Sequence, residues 1–309
     1  MNDLMIEARD VGKAFGAHKA LEGVSVSVPK GTVLGLLGHN GAGKTTLVNV
    51  LTTMLPPDAG TARVAGFDVV RQAHQVRSRI GLTGQFASVD EGLSGLDNLV
   101  LIARLLGAST KEAKSRAGEL LELFDLTEAA KRPSRTYSGG MRRRLDLAAG
   151  LVGHPEVVFL DEPTTGLDPA SRLGLWEIVE RLVDDGTTVL LTTQYLDEAD
   201  RLADRITVLA QGKVVAAGTS AELKAQVGRR TVTVTLADVS DVPKAQDALE
   251  RAGMQPVPAL NTLTAPVTSS RELAVVVRAL DEVGLEATEL ALAEPTLDDV
   301  YLTLAAHAA

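Results

Sequence analysis

Cysteine is absent from the 309 residues, so the chain has no disulfide framework, no thiol nucleophile and no cysteine zinc site, a composition suited to a reducing cytosol. The five histidines show no metal-ligand spacing. Basic charge is in deficit: Lys+Arg 31 against Asp+Glu 40 leaves a net charge of −9, which argues against a surface built for long contacts with a nucleic-acid backbone. The apolar stretches, such as Val157-Val158-Phe159-Leu160 and Thr188-Val189-Leu190-Leu191, fall far below the roughly 20 residues a membrane-spanning helix needs. Met1-Asn2-Asp3-Leu4 opens no basic region followed by an apolar core, so no secretion signal is expected. The chain by itself reads as soluble, and any membrane role falls to a partner.

Hydrophobic residues make up 45% and are spread throughout, which excludes long disorder and allows two cores. Up to about residue 80, β-type runs (Ile6-Glu7-Ala8-Arg9, Val24-Ser25-Val26-Ser27-Val28, Thr61-Ala62-Arg63-Val64) alternate with turn signals such as Pro29-Lys30-Gly31, which predicts one mixed sheet. From about residue 90 to 153 the apolar spacing turns helical, through Leu96, Leu99, Val100, Ala103, Leu106, Ala117, Leu120, Leu121 and Phe124. Between Glu156 and Leu209 short apolar strands alternate with helices, the pattern of parallel strands joined by crossovers. A change of texture near 227–230 predicts two domains, 1–227 and 228–309. In the second, Thr231–Leu236, Leu260–Val267 and Ala287–Leu292 read as strands and 242–253 and 270–283 as helices, a small α+β module with no cluster of chemically active side chains.

Two segments carry chemistry. Gly38-His39-Asn40-Gly41-Ala42-Gly43-Lys44-Thr45 is GxxxxGK[ST], set between the apolar run Val33-Leu34-Gly35-Leu36-Leu37 and the helical Thr46-Leu47-Val48-Asn49-Val50-Leu51. Its glycines let backbone N–H groups converge on a phosphate, the helix N-terminus adds positive potential, Lys44 reaches outer phosphate oxygens and Thr45 offers a hydroxyl to Mg²⁺. Downstream, Val157–Leu160 delivers Asp161-Glu162 at a strand's carboxyl end, where parallel sheets bind ligands. An isolated Asp-Glu pair there is an ordinary solvated strand end. Beside a phosphate loop, Asp161 becomes the Mg²⁺-holding carboxylate and Glu162 the group that polarises attacking water.

With Ser138-Gly139-Gly140-Met141-Arg142 added, residues 5–220 resemble the ATP-binding-cassette (ABC) ATPases, Ser138-Gly139-Gly140 standing for that family's signature loop. The resemblance implies an α/β P-loop ABC-type core, a mixed sheet plus a helical insertion, with the small α+β domain appended. It implies ATP and Mg²⁺ as cofactors. It also assigns Phe15 to adenine stacking, Gln85 to Mg²⁺ and water, and Asp168, in Thr164-Thr165-Gly166-Leu167-Asp168, to a loop that crosses to a second copy. Three departures stand out: Gln194 where the family has histidine, Met141 for the usual glutamine and Tyr137 for the usual leucine. A glutamine amide still donates a hydrogen bond to a γ-phosphate but does not titrate near neutral pH. Arg142-Arg143-Arg144 reads as a solvated or salt-bridged face rather than a nucleic-acid patch.

One chain holds one phosphate loop and one signature loop, so the resemblance implies a dimer that encloses ATP between copies. It further implies a separate membrane permease, with the ATPase at the cytoplasmic face of the cell membrane. Gln194 within Thr192–Asp200 and the tail Glu294–Leu302 look most like the ATP-binding subunits of daunorubicin-resistance-type drug exporters. The competing reading is a soluble ABC-type ATPase acting on DNA or ribosomes. A single cassette, the lack of heptad runs and the acidic balance weigh against it.

Overall fold

A computed structural model describes residues 3–83, 89–227, 230–294, 296, 297, 299 and 300. The chain divides into two compact units, one ending at Ser220 and the second starting at Ala221. Chain order in the first is β1 (Leu4–Phe15), β2 (His18–Pro29), β3 (Val33–Leu37), α1 (Lys44–Leu51), β4 (Ala59–Val64), β5 (Phe67–Asp68), α2 (Ala73–Arg77) and β6 (Ile80–Thr83). There follow α3 (Gly95–Leu105), α4 (Thr110–Leu123), α5 (Gly139–Gly150), β7 (Val157–Asp161), α6 (Pro169–Asp184), β8 (Thr188–Thr193), α7 (Leu196–Leu202), β9 (Arg205–Ala210) and β10 (Lys213–Gly218). Helix α8 (Ser220–Val227) lies at the division.

The strands sort into sheets by how many of their faces are covered. β3, β7 and β8 are buried at every position, the signature of strands packed on both sides, and they sit inside a sheet of order β10-β9-β3-β8-β7-β6. Its neighbours pair in parallel from β9 to β6, and β10 is antiparallel at the edge. β2 instead buries Val24, Val26 and Val28 on one face and leaves the other to solvent. It therefore belongs to a separate antiparallel sheet, β2-β1-β4-β5. This corrects the expectation of one mixed sheet over the first 80 residues, since only β3 of that stretch joins the phosphate-loop sheet. β6, unforeseen from the sequence, supplies that sheet's other edge.

Serines start the three helices of the insertion. Ser94, Ser109 and Ser138 accept hydrogen bonds from the N–H groups of Asp97, Glu112 and Met141, and Ser109 and Glu112 complete a capping box. Leu99, Ala103, Ala117, Leu120, Leu121, Phe124 and Leu145 form the apolar centre between them. Leu106, on the same periodic series, falls past the end of α3 and is exposed.

The second unit runs β11 (Arg230–Leu236), α9 (Val242–Arg251), β12 (Val257–Ala259), β13 (Thr262–Val267), α10 (Arg271–Glu282) and β14 (Ala287–Ala293). Its antiparallel sheet has the order β12-β13-β11-β14, the split β-α-β-β-α-β arrangement. Alternation explains it: Val232, Val234 and Leu236 bury against Ala245, Leu249, Val276 and Leu280, while Thr231, Thr233 and Thr235 take the opposite face. The strand expected over 260–267 is present from Thr262 as β13, and it forms a hairpin with the unforeseen β12. Leu260, with φ of 46°, turns β12 into β13. Among the described residues no helix is long and apolar enough to cross a membrane.

Candidate active site

The carboxyl ends of β3, β7 and β8 lie side by side, and three loops leave from that edge. In the loop after β3, Gly43 has φ of +109°, and a Cβ there would stand 2.6 Å from the Ala20 carbonyl oxygen. At Gly38 a Cβ would stand 2.6 Å from the Leu209 carbonyl oxygen. Position 43 thus needs glycine for backbone shape and for space, and position 38 for space alone. The N–H of Gly212, between β9 and β10, donates to the Ala42 carbonyl at 3.0 Å, and the N–H of Glu22 donates to the Gly212 carbonyl at 2.8 Å. Helix α1 begins at Lys44 with no side-chain cap, so no side chain competes with an anion for its first N–H groups.

Lys44 is 4% exposed; its ammonium donates to the Gly38 and His39 carbonyls at 2.7 and 3.3 Å and lies 3.3 Å from Glu162 Oε1. Thr45 donates its hydroxyl to Asp161 Oδ2 at 3.2 Å, and Asp161 Oδ1 accepts from the Thr192 hydroxyl. Thr192 also accepts from the Glu162 N–H at 3.1 Å, so one hydroxyl of β8 orients both acidic residues. Glu162 has φ of +49°, a left-handed turn that breaks β7 and sends its side chain toward Lys44. The sequence-predicted residues Lys44, Thr45, Asp161 and Glu162 are therefore in mutual contact.

The remaining candidates stand apart from this cluster. His39, Asn40 and Gly41 form the exposed tip of the loop, Ala42 is buried and Thr46 half-buried. Phe15 ends β1 and is 49% exposed, with the Lys13 ammonium 5.9 Å from its ring centre. Gln194 is exposed just after β8. Gln85 lies outside the described residues. Ser138 caps α5, and at Gly140 a Cβ would stand 2.5 Å from Ser171 Oγ. Neither Ser138 nor Gly140 hydrogen-bonds the phosphate loop. Asp168 caps α6 through the Ser171 N–H and hydroxyl at 3.0 and 2.7 Å, which hold its carboxyl below the usual range. Tyr137, at the departure from leucine, is buried and donates to the Ala129 carbonyl at 2.7 Å, and no Cβ fits at Gly95 beside its hydroxyl.

Sequence reasoning passed over Thr192, Arg143 and Glu198. A visible signal for Thr192 is a hydroxyl residue within an otherwise apolar strand. Glu198, on α7, is fully buried. Its Oε1 accepts from Trp176 Nε1 at 3.1 Å, while Oε2 and the nearby buried hydroxyl of Thr164 lack an aligned hydrogen-bond partner. Burial pushes this carboxyl above its ordinary 4.5, against the pull of Thr193, Trp176 and Thr164. The folded chain thus keeps the proton to higher pH than the unfolded chain. The associated stability is complete below 4.5 and is lost as pH rises through the folded value. Glu198→Gln removes that dependence, so thermal melts from about pH 4.5 to 8 should show the variant gaining on wild type as pH rises. Parallel profiles would mean that Glu198 titrates normally.

The residues present fit a nucleoside triphosphate with Mg²⁺. The loop after β3 is walled at Gly38 and Gly43 so closely that no Cβ fits there, its helix N-terminus is open, and Thr45 and Asp161 bring two hard oxygen donors together. Among the described residues no group of three or more His, Cys, Asp or Glu could hold a metal alone. This suits Mg²⁺, which takes few protein ligands and completes its shell with phosphate and water.

Residues 21–165 match the ABC transporter family model. The chain is 53% identical over 305 residues to a daunorubicin resistance ATP-binding protein of Streptomyces coeruleorubidus, covering 98% of this chain and 96% of that one. It is 47% identical to a daunorubicin/doxorubicin resistance ATP-binding protein of Streptomyces peucetius, over 98% and 93%. A solved ATP-binding cassette of an ABC transporter, in its ADP conformation, superposes with a TM-score of 0.66 at 27% identity, over 71% of this chain and 92% of that one. The chain belongs to the ABC transporter family. Within it, this is an ATP-binding subunit and an ATPase.

Proposed function

We propose that two copies of this chain bind MgATP and hydrolyse it to drive export of a daunorubicin- or doxorubicin-like compound through a separate permease, from the cytoplasmic face of the cell membrane. The observation that carries the ATPase half is the convergence of Lys44, Thr45, Asp161 and Glu162 at the ends of β3 and β7. Lys44 and the first N–H groups of α1 hold the outer phosphates. Thr45 and Asp161 would hold Mg²⁺, which when bound would offset charge on the phosphate oxygens. Glu162 orients and deprotonates the attacking water, Gln194 donates to the transferred phosphate and Phe15 stacks on the base. Glu162 already meets Lys44, so the carboxylate and the phosphate-binding ammonium share one small volume. Ser138, Gly139 and Gly140 lie outside that volume in their own chain, and in this reading they close on the other copy's nucleotide, with Asp168 at the same interface. The full-length match to two resistance proteins, second unit included, supports the export half.

The test has two readouts. Purification from detergent-solubilised membranes should bring down a stoichiometric protein with about six apolar stretches of roughly 20 residues. Inverted vesicles holding both proteins should take up doxorubicin only with ATP and only with Lys44 intact. Recovery solely from the soluble fraction with ribosomal or DNA-bound partners would overturn the export reading.

A further inference from the structure

The three arginines that follow the signature loop do three different things. Arg142 pairs with Glu91 at 3.0 Å, and Arg144 with Asp125 at 3.3 Å. Successive residues of a helix point about 100° apart, so only the middle one faces the end of β7. The Arg143 side chain is 18% exposed. Its Nε donates to the Pro163 carbonyl at 2.7 Å, and its Nη2 donates to the carbonyls of Asp161 and Glu162 at 3.2 and 3.1 Å. Asp146, buried one turn further along α5, lies 3.5 Å from Nη1.

Three consecutive carbonyls of an extended chain point alternately to opposite sides and do not meet one cation. Here they do, because Glu162 sits at φ +49°, a conformation that is costly for a residue with a Cβ and that persists only where its surroundings enforce it. The fork of the guanidinium matches that bend and supplies charge-assisted bonds to it. The same bend directs the Glu162 side chain to Lys44.

We propose that Arg143 is a positioning residue of the ATPase reaction: from the helix opened by Ser138-Gly139-Gly140 it holds the left-handed turn that aims Glu162. The orientation of the general base then depends on how α5 is seated in the same chain. The inference rests on the proposed role of Glu162 and on the signature loop meeting the other copy's nucleotide. Given both, ATP bound by one copy reaches the base of the other through one side chain. The pocket lined by Gly139, Arg143, Asp146, Glu162 and Thr165 lies along this path.

Two variants of the full-length protein test it. Arg143→Met keeps the apolar stem and removes every donor; Arg143→Lys keeps the charge and loses the fork. We expect kcat for Arg143→Met to fall about 10–100-fold, the scale of a sub-ångström to ångström misplacement of a reacting group. The Kd for MgATP, read by fluorescent nucleotide, should shift less than about threefold, because the phosphate contacts remain. Arg143→Lys should recover part of the rate. In a Glu162→Gln background, single-turnover rates with and without Arg143→Met should agree within about twofold, since both changes act on one carboxylate. Turnover of Arg143→Met close to wild type, an equal loss in both backgrounds, or a Kd that worsens in step with kcat would overturn the proposal. If Arg143→Met melts far below wild type, the lysine variant carries the same comparisons. Wild-type turnover no faster than that of Lys44→Ala would instead remove the ATPase assignment on which the proposal stands.

Discussion

Glu162→Gln is expected to lower ATP turnover about 10²–10⁴-fold, the range lost with a positioned general base. The amide matches the carboxylate in size and still meets the Lys44 ammonium through its oxygen, 3.3 Å away in the native side chain. What it cannot do is take a proton. Nucleotide affinity should therefore change little while phosphate release stops, and the two are separable by measuring binding and single-turnover hydrolysis on one preparation. In the proposed dimer, copies that bind ATP without splitting it stay closed, so ATP should shift the variant to the dimer on a sizing column. A turnover within a few-fold of wild type would take the general-base role from Glu162.

Phe159→Ala is expected to cost about 3–5 kcal/mol, the range for truncating a large buried aromatic. Phe159 is fully buried at the centre of β7 and packs in one cluster with Leu36, Val48, Leu51 and Leu190. These come from β3, α1 and β8, the elements that carry the phosphate loop and Thr192, so the cavity opens beneath the site. Against a typical total of about 5–15 kcal/mol, the loss is a large fraction of stability. Urea unfolding should show the midpoint of the first unit falling by that equivalent, with the transition of the second unit in place. A shift below about 1 kcal/mol would mean that the strands close over the gap and the core is more yielding than its burial implies.

Much of the site could be read directly, because each part is local. A phosphate loop is a strand, a glycine-rich turn and a helix in unbroken order, and residues 33–51 spell all three. Asp161-Glu162 follows four apolar residues, so the strand end announces itself. What stayed hidden depends on partners distant in sequence. β6 is four residues with a glycine inside, a poor strand on propensity. Gly81 pairs with Val158 and is required because a Cβ would lie 2.3 Å from the Gly150 carbonyl oxygen, on another element. The division of the first 80 residues into two sheets was invisible for the same reason, since alternation shows which face is covered but not by what. Arg143 illustrates the limit at the site itself. Three adjacent arginines look alike in sequence, and all three do form ion pairs, but only the helix phase together with the β7 carboxyl end singles out the middle one.

The loop that receives phosphate is fixed by its neighbours as well as by the Lys44 ammonium, which spans it to the Gly38 and His39 carbonyls. The Ala20 and Leu209 carbonyls wall it, and Gly212 ties it to β2 through Glu22. Those anchors come from two different sheets, so the loop takes its shape when the first unit folds. Nucleotide association then carries little ordering entropy, and its rate follows diffusional encounter rather than loop closure. In the proposed reading, discrimination among nucleotides falls to groups outside the cradle, the half-exposed ring of Phe15 among them, while the cradle itself meets only phosphate.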